Sequence, residues 1–293
     1  MIKRFGFLLA LLVFSFPLRA QQPMTAEQVI AKIREASNFK VTPRTVDTIK
    51  AGDPQTVVTG IATTISPTME VLRKAVAQHD NLIISHEPTF YNHPDADTLF
   101  KNDPVYQEKM AYIEAHHLVI FRFHDGAHGN EPDLVMEGWK HQMGWTTATR
   151  DGKGPEMYVA KPITVSALAE QLRRTAGASS VRVVGDPKLV VTKIAYAPGA
   201  PGEAPQVAAL ERDDVEVLVV GEIPEWETIS YAWDAEQQGR HKALILMGHY
   251  TSEQAGSEEV AGWLRKLVPG MRVDFILAGE PYWMAGHPPE DKR

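Results

Sequence analysis

The chain has 293 residues, 44% of them hydrophobic, and 30 Lys and Arg against 37 Asp and Glu give a formal charge of −7. That length and apolar content suffice for one or two buried cores, and the acidic balance argues against nucleic acid or an anionic membrane surface as a partner. Cysteine is absent, which excludes disulfides, thiolate catalysis and cysteine-bound zinc, so any metal must sit on His, Asp or Glu.

Residues 1–20 read as a secretory signal peptide. Lys3 and Arg4 form a basic start, Phe5 to Phe16 an apolar run, and Leu18-Arg19-Ala20 a cleavage site before Gln21. The run is short for a membrane span of about 20 residues. Removing Lys3, Arg4 and Arg19 leaves 27 basic against 37 acidic side chains, a mature charge of −10. The expectation is an exported protein, periplasmic or secreted, with no membrane contact after cleavage.

A helix opens at Thr25, which with Gln28 fits a capping box ahead of Val29, Ile30 and Ile33. Residues 37–54 read as irregular, and Gln55 to Thr63 as a strand. Ser66-Pro67 starts a second helix with Ser as cap and Pro in its first turn, its stripe being Met69, Leu72, Ala75 and Val76. The apolar run Leu82 to Ser85 is the next strand. Asp103-Pro104 opens a helix ending near His116-His117, and Leu118 to Phe123 is a strand again. Strand and helix alternating in this way predict parallel βαβ units.

The second half repeats the alternation. A helix runs from Ile163-Thr164 to Thr175, strands cover Val181 to Val184, Leu189 to Tyr196 and Val215 to Val220, and Pro198 to Pro205 is a Gly/Pro-rich loop. A helix over Thr228 to Gln238, a strand over Ala243 to Met247, a helix over Ser257 to Leu267 and a strand over Arg272 to Leu277 complete the chain. The predicted fold is α/β, two units (21–150 and 151–293) with mixed, largely parallel sheets packed around an interdomain metal-site cleft.

Three of these strands end in metal-binding side chains. Leu82 to Ser85 runs into His86-Glu87-Pro88, Leu118 to Phe123 into His124-Asp125 with His128 beyond, and Ala243 to Met247 into Gly248-His249 with Glu253 beyond. Ligands in open α/β sheets bind outside the carboxyl ends of the strands, and imidazoles and carboxylates gathered there suit a divalent ion. Each pair by itself fits an ordinary strand-to-helix turn, a reading that three pairs at three strand ends weaken considerably. Gly126 and Gly129 predict a loop around His124 and His128 rather than a helix. His79, His116, His117, His141 and His241 read as structural, His287 falls in a Pro-rich tail, and His93 lies close enough to His86 to support it or to face a substrate. Glu222, after the strand ending at Val220, is a candidate proton shuttle or orienting acid. Gly-x-Ser-x-Gly, phosphate-cradling and His-Glu-x-x-His motifs are all missing.

At these residues the chain resembles the Nif-three-like proteins, also called GTP cyclohydrolase type-two-like, over roughly residues 25 to 285. Gly248-His249-Tyr250-Thr251-Ser252-Glu253 is similar to that family's Gly-His-x-x-(Ser/Thr)-Glu motif. The family's His-His-Pro reads His86-Glu87-Pro88 here, and its His-Thr-Asn-Leu-Asp reads His124-Asp125-Gly126-Ala127-His128. Its early Trp-Asp-Asn has Val46-Asp47-Thr48 as the nearest match. The resemblance implies a dinuclear centre between the two α/β halves, with His86, Glu87, His128, His249 and Glu253 as ligands, Asp125 as a substitute for His128, and His124 as a further candidate. It also implies a ring-shaped homohexamer. The expected function is a metal-dependent hydrolase using two divalent ions, which imidazole and carboxylate donors leave open among Zn, Mn, Fe and Ni, on a small-molecule substrate with a cyclic amidine, amide or phosphoester bond. The rival expectation is a non-catalytic metal-binding or metal-handling exported protein.

Overall fold

In a computed structural model, residues 23–37, 39–40, 42–96, 100–152 and 154–285 are described. The expected signal peptide and His287 lie outside them. The described chain forms two five-stranded sheets.

The first sheet has the order β1-β4-β3-β2-β10, built from β1 (Ile49–Ala51), β2 (Ile61–Thr64), β3 (Leu82–Ser85), β4 (Val119–Arg122) and β10 (Val273–Phe275). All neighbours are parallel except β1, which runs antiparallel to β4. β2, β3 and β4 are buried along their whole length, and β3 and β4 are largely apolar, as parallel strands between helices usually are. One face packs on α1 (Ala26–Ala36) and on Val260, Ala261 and Leu264 of α9 (His249–Leu267). The other packs on α2 (Met69–Ala77) and α3 (Pro104–Ala115) through Val71, Leu72, Ala75 and Ile113.

The second sheet has the order β5-β7-β8-β9-β6: β5 (Glu156–Thr164), β6 (Arg182–Val184), β7 (Val190–Ala197), β8 (Val217–Val220) and β9 (Ala243–Leu246). Its central three strands are parallel and its edges antiparallel. Leu168 and Leu172 of α6 (Val165–Ala176) cover one face, together with Trp139 and Met143 of α5 (Leu134–Met143). The other carries Ala209 and Leu210 of α7 (Glu203–Glu211) and Ala232 of α8 (Ser230–Gln237). No helix among the described residues is long and apolar enough to cross a membrane.

Several boundaries move. The Thr25/Gln28 capping box and the Asp103 cap form as expected, but Thr68, not Ser66, caps α2. Only residues from Ile61 onward pair as a strand, while Ile49–Ala51 in the stretch expected to be irregular adds an edge strand. Two elements that the sequence reading leaves out also form: β5, which is only partly buried along its length, and α7, which starts inside the Gly/Pro-rich loop. A kinked turn, Glu225–Ile229, with Glu227 outside helical φ/ψ, precedes α8. Helix α9 starts at His249, eight residues before the expected Ser257, because its first turns are buried polar residues that give no amphipathic stripe.

The last helix and strand also cross the expected division at 150. Helix α9 leaves the second sheet after β9, but its later turns pack on the first sheet, and β10 pairs there with β2. Helix α5 crosses the other way, with Leu134 and Val135 in the first core and Met136, Trp139 and Met143 in the second. The two crossing helices meet at glycines. A Cβ on Gly138 would lie 2.3 Å from the Ala255 carbonyl oxygen, and one on Gly256 2.7 Å from the Val135 Cα. Gly138→Ala should therefore destabilise the protein by about 1–3 kcal/mol in urea denaturation. Gly262→Ala, on the same helix as Gly256 with open space at its Cβ, should be neutral or stabilising by about 0.5–1 kcal/mol.

Candidate metal centre

The donors converge as strand ends bring them. His86 and Glu87 follow β3, His124 follows β4, and His249 follows β9 as the first residue of α9, placing Glu253 one turn later. His86 and Glu87 are buried, and Glu253 is 4% exposed. Ligand atoms of His86, Glu87 and Glu253 lie within 4.8 Å of one another, as do those of His86, His124 and His128. His86 is common to both groups, so the two adjoin.

Glu253 is the centre of the arrangement. Its Oε2 lies 3.1 Å from His249 Nε2 and 3.5 Å from His86 Nε2, yet both this oxygen and the His86 nitrogen are buried without a hydrogen bond. Its Oε1 is 3.9 Å from His128 Nε2. Such buried groups are normally hydrogen-bonded; a buried oxygen and nitrogen facing one another without a hydrogen bond are what a divalent cation would satisfy. Glu87 Oε1 adds a fourth direction, 3.1 Å from His249 Nε2.

The charges agree with that reading. Burial would raise the Glu87 pKa, but the His249 hydrogen bond and the His86 and His249 charges bring it down to about 2. Glu253 is likewise pulled far below the usual carboxylate range, against its burial, by His249 and His86. Burial would lower the His249 pKa, but Glu222, Glu253 and Glu87 push it up to about 12. A proton there does the work of a cation among three carboxylates. Burial and the neighbouring His86 lower His124 to about 4 despite Asp125, leaving a neutral imidazole of the kind metals bind.

The outer nitrogens have their own partners. Glu222 Oε1 meets His249 Nδ1 at 3.1 Å, and Asp133 Oδ2 meets His128 Nδ1 at 3.3 Å. Carboxylates behind ligating histidines fix the tautomer and ring direction. Glu222 thus stands on the outer nitrogen of His249, where an orienting acid would. Asp125 faces away from the donor groups: its Oδ2 accepts from Thr45 Oγ1 and the Val46 N–H, and its Oδ1 lies 3.0 Å from His124 Nδ1. It therefore supports His124 rather than standing in for His128.

The stretch expected to be a Gly-rich loop is a short helix, α4 (Asp125–Gly129), so His124 and His128 do stand one helical turn apart. The helix forms because Asp47 caps it from outside. Its Oδ1 accepts the His124 and Asp125 N–H groups at 2.8 and 2.9 Å, and its Oδ2 the Gly126 N–H at 2.7 Å. A cap 77 residues upstream leaves no local signal, and only the resemblance to the early family motif points to Asp47.

Gly199 is a second residue that the sequence does not signal. At φ +63°, it would place a Cβ 2.3 Å from Glu253 Oε1, so glycine in the Pro198 to Pro205 loop makes room for the carboxylate. Ser252 Oγ accepts its N–H at 3.0 Å. Outside the cluster, His79, His117 and His241 occupy positive-φ turns, which histidine tolerates better than most residues, and His141 pairs with Glu259 at 2.9 Å.

A family model for Duf34/NIF3 (NGG1p interacting factor 3) matches residues 24–280. The chain belongs to the Duf34/NIF3 family. Among similar proteins, a GTP cyclohydrolase 1 type 2 homolog of Clostridium perfringens is 22% identical over 244 residues, covering 79% of this chain and 87% of that protein. The Duf34/NIF3 fold is shared with solved structures of a Bacillus cereus protein related to NIF3 (TM-score 0.74, 12% identity) and a hypothetical protein of Staphylococcus aureus (TM-score 0.72, 18% identity). Each covers 90% of this chain and is itself covered in full. Within this Duf34/NIF3 chain, Asp47→Ala should strand three N–H groups and destabilise the protein by about 2 kcal/mol in denaturant unfolding, with a matching loss of order around His124.

Proposed function

We propose that this protein is a metal-dependent hydrolase whose centre holds two divalent ions on His86, Glu87, His124, His128, His249 and Glu253. The observation that carries the reading is Glu253 Oε2, buried between two imidazole nitrogens and bonded to neither. The two adjoining donor groups around His86 support a pair of ions rather than one. When bound, such a pair supplies Lewis-acid polarisation and acidifies water.

The remaining work falls to the chain's own residues. Glu222 holds His249 by its Nδ1 and directs Nε2 inward. Being half-exposed beside His249, it is also the acid within reach of a proton leaving the site. A cleft of about 750 Å³ opens onto His249 and Glu222, lined also by Arg182, Tyr250, Glu280 and Trp283, and a pocket of that size accepts a small molecule. Cyclic amidines, amides and phosphoesters are the substrate classes, the first in keeping with the name of the Clostridium perfringens relative. The signal-like residues 1–20 support action outside the cytoplasm, and the assembly we propose is a homohexamer.

Elemental analysis of the purified mature protein should find two metals per chain, with His86→Ala and His249→Ala each losing at least one. Unchanged metal content in both variants would sink the reading. Metal binding without turnover across the three bond classes would favour a metal-handling protein instead. Glu222→Ala should weaken metal binding by about 10–100-fold in a chelator competition.

A further inference from the structure

Arg122 ends the apolar strand β4, and its side chain is fully buried. A guanidinium withdrawn from water demands opposite charge and hydrogen bonds in good geometry, and the contacts of Arg122 all lead to one place. Nε donates to the His86 carbonyl at 3.0 Å, and Nη1 donates to the His93 carbonyl. Nη2 lies 3.5 Å from Glu87 Oε2 and 3.5 Å from His93 Nδ1. The other Glu87 oxygen, Oε1, faces His249 Nε2 at 3.1 Å. One carboxylate is thus divided, with one oxygen toward a buried cation and the other toward the donor cluster.

We infer that Arg122 is the positioning residue of the metal centre, aiming Glu87 and cancelling its charge so that this carboxylate serves as a one-oxygen donor. The inference rests on the metal reading above. Its physical basis is the rigidity of the guanidinium plane, which grips the backbone of one donor residue and the side chain of the next. Lysine carries the same charge as a point on a flexible stem and cannot serve several fixed directions together. Glu87, with a buried cation on Oε2, differs from Glu253, whose two oxygens both face imidazoles. The two carboxylates of the cluster are therefore unequal donors, and Arg122 makes them so.

The alternative role for Arg122 is a plain tether for residues 86–93, acting through the two carbonyls and indifferent to the Glu87 charge. Arg122→Lys in the full chain, made both with Glu87 intact and together with Glu87→Gln, separates the two. Affinity for Zn²⁺ or Co²⁺ alone is read by competition with a chromophoric chelator, the visible Co²⁺ spectrum is read at saturation, and circular dichroism checks the fold. With Glu87 intact, Arg122→Lys should weaken binding by about tenfold or more and shift the Co²⁺ spectrum. In the Glu87→Gln background it should do neither. Equal effects in both backgrounds, or no effect with Glu87 intact, overturn the inference. If Arg122→Lys does not fold, Arg122→Gln, which keeps N–H donors for the carbonyls and drops the charge, carries the same comparison. Failure of the unsubstituted protein to bind either ion is a different result and overturns the metal reading itself.

Discussion

Helix α9 is the constraint on which the rest depends. It begins at the carboxyl end of the second sheet and buries its later turns against the first, so whatever sits on its opening turn is held between two cores. His249 and Glu253 sit there, one turn apart, and meet His86 and Glu87 arriving from β3. The close glycine contacts with α5 keep this crossing fixed, and the Tyr196 hydroxyl, donating to the Ser252 carbonyl, ties the same turns to the second sheet. Side chains placed by rigid elements in this way hold their geometry more closely than side chains on loops.

Charge is organised around the same turn. Three carboxylates surround His249, and Glu253 is nearly inaccessible to water. Concentrating negative charge in a buried site is costly unless a cation is shared. A proton on His249 lets the cluster stand, and a multivalent ion would satisfy it more fully. The supporting shell follows from this. Arg122 faces Glu87, Asp133 faces His128, and Glu222 faces His249, so each of these donors has a partner of opposite or complementary character behind it.

Much of the centre is legible in the sequence because strand ends are legible. The apolar runs before His86, His124 and His249 are strong signals, and the rule that parallel strands deliver ligands at their carboxyl ends carries them to one site without a structure. Its place just beyond His249 marks Glu253 and motif similarity supports it, although the first turns of α9 bury Thr251, Ser252, Glu253 and Gln254 and so look like a surface loop in sequence. What stays hidden depends on distance along the chain. Asp47 caps a helix that begins beyond residue 120, Gly199 clears space for a carboxylate in another element, and the partners of Arg122 lie on segments outside its own strand. The crossing of α5 and α9 between sheets is hidden for the same reason, because alternating elements suggest consecutive units and say nothing of a chain that turns back.

That turning back has a consequence for how the molecule comes into being. The first sheet lacks one edge strand and part of the wall over one face until residues 249–275 have been made, although most of its strands precede residue 123. The amino-terminal half is therefore not an autonomous module. Any stage at which only that half exists must carry exposed apolar surface, the condition under which larger chains become prone to aggregation. Closure of the hydrophobic core and gathering of the candidate donors then both wait for the same helix.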